Sequence, residues 1–68
     1  MEKLKELREK KKLSYSKMAA RLGISKPFYW QIENGQRRLS YEMAVKIAKV
    51  FRSTPDKIFY QEFKNKVK

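Results

Sequence analysis

Residues 15–38 read YSKMAARLGISKPFYWQIENGQRR, and the fold follows from how that stretch divides. Met18, Ala19 and Leu22 recur at helical spacing on one face, which leaves Lys17, Ala20 and Arg21 facing away. Gly23 offers the left-handed conformation that commonly ends a helix, and Ser25 is an N-cap for the next one. Lys26 and Pro27 then occupy a first turn, where the missing proline N–H costs nothing. In this second pattern Tyr29 and Ile32 lie i, i+3 and face inward, with Glu33 four residues beyond Tyr29. Lys26, Pro27, Trp30, Gln31 and Asn34 fall on the outer side and Phe28 on the border. Two short helices, 15–22 and 26–34, therefore meet at a tight corner. The second turns polar, basic and aromatic groups outward and runs into a basic turn containing Gly35, Gln36, Arg37 and Arg38.

The flanking sequence supplies scaffold. Leu4 and Leu7 mark one face of a helix over 2–11, with Glu2 and Glu6 near its positive end and Lys10 to Lys12 near its negative end. Lys12 stands where a helix exit often uses Gly, which predicts a less comfortable left-handed turn or a shifted exit. Leu13 drops into the core and Ser14 caps the helix at 15–22. Ser40 caps a helix over 41–51, whose Ala44, Ile47, Ala48 and Phe51 follow the i, i+3, i+4, i+7 rule. Thr54 and Pro55 open a last helix over 55–61 that buries Ile58 and Phe59. From Phe59 to Phe63 the pattern fits a continued helix or a short strand equally, and 64–68 is a basic tail. The expectation is one all-α domain over 1–68, a compact five-helix bundle with a short C-terminal extension.

The chain has 68 residues, room for one small domain. Its 18 Lys and Arg stand against 7 Asp and Glu, a formal +11, which points to a polyanionic partner. The excess is uneven: residues 13–38 hold five basic side chains and Glu33 as their one acid. No apolar run approaches the ~20 residues needed to span a bilayer, and charges follow Met1, so a cytoplasmic protein is expected, held at the nucleoid where its polyanionic partner is DNA. With neither Cys nor His, no disulfide framework or zinc finger forms, and no metal or cofactor is expected. Ser14, Ser16, Ser25, Ser40 and Ser53 have no His to activate them, and no Gly-rich phosphate loop is present, so the chain does not look like an enzyme.

The patterns LSxxxxAxxLGIS, IENGxRR and SYEMAVKIAKVF, closed by Thr54-Pro55-Asp56 and Ile58-Phe59, resemble the helix-turn-helix domain of the phage repressor and Cro-like family, the XRE family. The resemblance runs from about Leu4 to Phe59. It implies a lambda-repressor-like five-helix bundle that binds double-stranded DNA as a two-fold homodimer, with helix 26–34 in the major groove. Carried onto this chain, Lys26, Pro27, Phe28 and Gln31 match base-facing positions, and Asn34 with Gln36, Arg37 and Arg38 match phosphate-contacting ones. Arg8 and Glu33 match a pair that forms a partly buried salt bridge in many relatives. Tyr15 replaces the usual Gln at the start of the second helix, Phe28, Tyr29 and Trp30 replace smaller, aliphatic or polar residues, and Leu39 stands where Pro is frequent.

On this footing Gln31 is suited to a bidentate grip on an adenine edge and Lys26 to guanine O6 and N7. Trp30 has three roles open: a sugar or thymine-methyl contact, packing near Leu39, or a protein contact. Phe28 divides between a thymine methyl and the fourth helix. The expected phosphate set is Tyr15, Lys17, Ser25, Asn34, Gln36, Arg37 and Arg38. One short helix per chain makes specificity depend on two copies, and Phe59, Tyr60 and Phe63 are the apolar candidates for that interface. The expected function is a sequence-specific transcriptional regulator, a repressor, with no membrane or small-molecule partner. The alternative is the same fold used as an antitoxin or a protein-interaction adaptor.

Overall fold

A computed structural model describes the backbone of residues 1–64 and the side chains of residues 1–60. Five helices follow one another: α1 (Glu2–Lys10), α2 (Tyr15–Leu22), α3 (Lys26–Glu33), α4 (Tyr41–Val50) and α5 (Pro55–Lys64). Three of them start in the same way. The Oγ atoms of Ser14, Ser25 and Ser40 accept the backbone N–H groups of Lys17, Phe28 and Met43 at 3.1, 3.2 and 3.1 Å. Each serine satisfies a donor that a helix start leaves orphaned.

The helix ends are less uniform. Gly23 takes φ 71°, ψ 30°, and the N–H groups of Gly23 and Ile24 return to the carbonyls of Ala20 and Ala19. That closes α2 and sets the corner with α3. Lys12 (φ 57°) and Arg52 (φ 52°) adopt the same left-handed region without being glycine. The first is the uncomfortable exit expected at Lys12, and the second was not visible in the sequence. Since a Cβ in this region costs ~1–2 kcal/mol, partly offset by the extra chain entropy of glycine, Arg52→Gly should raise stability by roughly 0.5–1 kcal/mol. A urea midpoint that falls instead would show that the Arg52 side chain contributes more than its backbone costs.

The core comprises Leu4, Leu13, Met18, Ala19, Leu22, Tyr29, Ile32, Leu39, Ala44, Ile47, Ala48, Ile58 and Phe59. Ala19 is buried in this core, so the corner is held by packing as well as by Gly23. Leu39, in the loop before α4, is buried, an apolar anchor at a position the sequence marked just for its missing proline. Phe51 is half-buried and acts as the C-cap of α4.

Several boundaries and one alternative are corrected. Lys11, Asn34 and Phe51 are cap residues, one position beyond the helices they end. The strand considered for 59–63 does not form, because α5 continues helically through Lys64, three residues past the expected end and into the segment assigned to the tail. Residues 65–68 of the expected tail lie outside the described residues. Phe59 is fully buried within the bundle, so its side chain is withdrawn from the interface candidates.

Candidate nucleic-acid interface

The corner presents α3 on a rigid footing. Beneath it, Arg8 of α1 grips Glu33 at the end of α3 with two parallel bonds: Nε donates to Oε1 at 2.8 Å and Nη2 to Oε2 at 3.1 Å. Arg8 Nη1 also donates to the Leu13 carbonyl at 2.7 Å, and the Tyr29 hydroxyl donates to Glu33 Oε1 at 2.6 Å. Arg8 and Glu33 are both buried, and among the described residues no buried side-chain nitrogen or oxygen lacks a hydrogen-bond partner. A two-point geometry with its remaining donors satisfied is the arrangement in which an ion pair survives desolvation.

The network extends through aromatic rings. The Arg8 guanidinium lies 4.3 Å from the centroid of Tyr15, and the Tyr15 and Tyr29 rings are 6.1 Å apart at 48°. Such cation–π and tilted ring contacts add to the ion pair and tie the start of α2 to α1 and α3. Tyr15 therefore belongs to the support of α3 as well as standing, half-buried, at the position expected to meet phosphate. The Tyr29 hydroxyl meets Glu33, a pairing not drawn from the sequence. Their i, i+4 spacing was the available signal.

Burial foremost, then the bond to Glu33, pushes the Tyr29 phenol well above its usual range, so it remains a donor. Glu33 is likewise the first cause that raises the Arg8 guanidinium, against the opposing effect of burial. The folded-state pKa of Tyr29 lies above the unfolded value. Its contribution is fully present below pH ~10 and is lost as pH rises beyond that towards the folded value. The stability gap between wild type and Tyr29→Phe should be constant to about pH 9 and narrow above about pH 10. A gap that widens with pH would contradict the hydrogen bond.

On the outer side, Lys26, Pro27 and Trp30 are exposed, Trp30 by 43%. Phe28 and Gln31 are half-buried, and the reason lies six residues beyond Gln31. Gly35 at φ 71° reverses the chain, with Gln36 N–H returning to the Gln31 carbonyl at 2.7 Å. Arg37 consequently lies back over α3. Its guanidinium sits 4.4 Å from the Phe28 centroid and its Nε donates to Gln31 Oε1 at 3.0 Å. Expected at a phosphate, Arg37 is packed on the very side chains expected to meet bases, a placement the sequence did not announce.

The other expected contacts divide as follows. Lys17, Gln36 and Arg38 are exposed, while Ser25 spends its acceptor on capping α3 and keeps its hydroxyl proton to donate. Asn34 is exposed, but its Nδ2 donates to the Trp30 carbonyl at 2.9 Å, which leaves its side-chain oxygen uncommitted to that bond. The Met1 amino group donates to the Glu33 carbonyl at 3.0 Å, satisfying an end of α3. Of the interface candidates Tyr60 is exposed, and the Phe63 side chain lies outside the described residues. The described residues contain no group of three or more metal-ligating side chains, and no described helix is long and apolar enough to cross a membrane.

An exposed α3 face beside a basic turn, carried on a capped corner, agrees with the comparison to known proteins. The family described as helix-turn-helix matches residues 4–58, from α1 into α5. A protein of Bacillus subtilis (strain 168), described as the uncharacterized HTH-type transcriptional regulator YqaE, is 35% identical over 66 residues. That match covers 97% of this chain and 57% of the relative, so the chain spans little more than half of that protein's length. No solved structure gives a significant match. The chain belongs to the XRE-type helix-turn-helix family of DNA-binding proteins.

Proposed function

We propose that this chain is a sequence-specific regulator of transcription that acts as a repressor by laying α3 in the major groove of double-stranded DNA. The observation that carries this is the division of α3. Tyr29, Ile32 and Glu33 are locked into the bundle, while Lys26, Pro27, Trp30 and Gln31 remain on its accessible side beside Arg37 and Arg38. In this reading Lys26, Gln31 and their neighbours Pro27, Phe28 and Trp30 meet base edges, whereas Tyr15, Lys17, Ser25, Asn34, Gln36 and Arg38 meet phosphates. The bound form is a homodimer, because a single short helix covers too few base pairs for high specificity.

Selection from a random duplex library tests both parts. Recovered sites should be two-fold symmetric, with half-site centres ~34 Å apart, one helical turn. Recovery of unrelated sequences would remove the base-reading claim, and a single unrepeated half-site would remove the dimer. For the dimer contact, the exposed Tyr60 near the end of α5 is the remaining described candidate. Tyr60→Lys should shift sedimentation towards monomer without unfolding the bundle, and an unchanged dimer would place the contact elsewhere.

A further inference from the structure

We infer that Arg37 is a specificity-determining residue, which acts with Gln31 as one donor-rich unit that favours guanine at the base pair Gln31 faces. This rests on the DNA-reading function proposed above and sharpens it. The unit is built from three side chains: Phe28 and Gln31, one turn apart on α3, and Arg37, returned to them by the turn at Gly35. The guanidinium lies on the Phe28 ring and donates through Nε to Gln31 Oε1. Stacking and a directional bond together hold the group in one plane, which neither would do alone.

The chemistry then constrains what Gln31 can present. Guanidinium has donors and no acceptor, so the amide must turn its oxygen towards Arg37 and its NH2 away. A bidentate grip on adenine needs that same oxygen to accept from adenine N6, in a place now flanked by Arg37 N–H groups. Guanine offers two acceptors, O6 and N7, to the Gln31 NH2 and the terminal Arg37 nitrogens. The adenine pairing suited to an isolated Gln31 is therefore disfavoured in this fold.

The test compares library selections and duplex affinities for wild type, Gln31→Ala, Arg37→Ala and Arg37→Lys, all as full chains. Arg37 is exposed and outside the core, and matching urea midpoints verify the fold of each variant. Wild type should select guanine at one base pair per half-site, with ~5- to 150-fold discrimination over adenine. Gln31→Ala and Arg37→Ala should both lose that preference at the same base pair and leave the other positions unchanged. Arg37→Lys should retain the salt dependence but not the preference, since an ammonium lacks the planar fork. Adenine selected by wild type at that pair overturns the proposal. So does an Arg37→Ala protein that weakens all duplexes equally and keeps the motif, the behaviour of a phosphate contact. Failure of wild type to select any sequence instead overturns the function beneath it.

Discussion

Glu33→Ala should destabilise the domain by ~3–5 kcal/mol, a large share of the ~5–15 kcal/mol available to a small domain. The substitution strands the Arg8 guanidinium among buried groups and leaves the Tyr29 hydroxyl without its acceptor. It also removes the clamp between α1 and the end of α3. Arg8→Ala should cost a similar amount, because it leaves the Glu33 carboxylate buried with Tyr29 as its remaining side-chain donor. If the two act as one unit, the double variant should be far less destabilised than the sum of the single variants. Urea unfolding of the four proteins measures the coupling. A value of ~0–1 kcal/mol, typical of exposed pairs, would contradict the buried two-point geometry.

Gln31→Ala should lose ~1–3 kcal/mol on the selected site and little on random duplex. The residue sits on the accessible side of α3 and its amide oxygen accepts from Arg37, so in the proposed complex what it contributes depends on the base it meets. Arg38→Ala should behave in the opposite way. As an exposed cation in the turn after α3, it is proposed to meet phosphate, so its loss should weaken selected and random duplexes alike. The slope of log K against log salt should flatten by about one unit. Binding isotherms on both duplexes at several salt concentrations separate the two cases. Equal losses on every sequence for Gln31→Ala would count against direct base readout.

The parts of this molecule that were legible from sequence are those with local causes. Ser14, Ser25 and Ser40 cap because their hydroxyls reach an N–H three residues away, and Gly23 ends α2 because its backbone tolerates positive φ. The stripe Ala44, Ile47 and Ala48 is periodic, and periodicity survives into burial. The helix and the turn that carry the candidate site residues were legible too. Arg8 and Glu33 are 25 positions apart, and their pairing came from the family resemblance.

What escaped depends on chain reversals or on isolated residues. Arg37 reaches Gln31 because Gly35 folds the turn back, whereas its charge and the family resemblance pointed to phosphate. Leu39 is a lone apolar residue with no periodic partners, so nothing in its neighbourhood marked it for the core. At Phe59 to Phe63 helical and strand periods coincide over too short a window, and the packing of Phe59 decides for the helix. Phe59 shows the same limit from the other side, since an apolar residue near an end suits an interface and a core equally.

In the proposed complex the accessible side of α3 reads base edges while Gln36 and Arg38 of the turn after it hold phosphate. Salt-titrated affinity of the wild-type chain for a selected duplex and for a scrambled one tests it most directly. Log K should fall steeply and linearly with log salt on both, with the selected duplex at least ~10³-fold tighter throughout. A shallow slope, or equal affinity for the two duplexes, would contradict it.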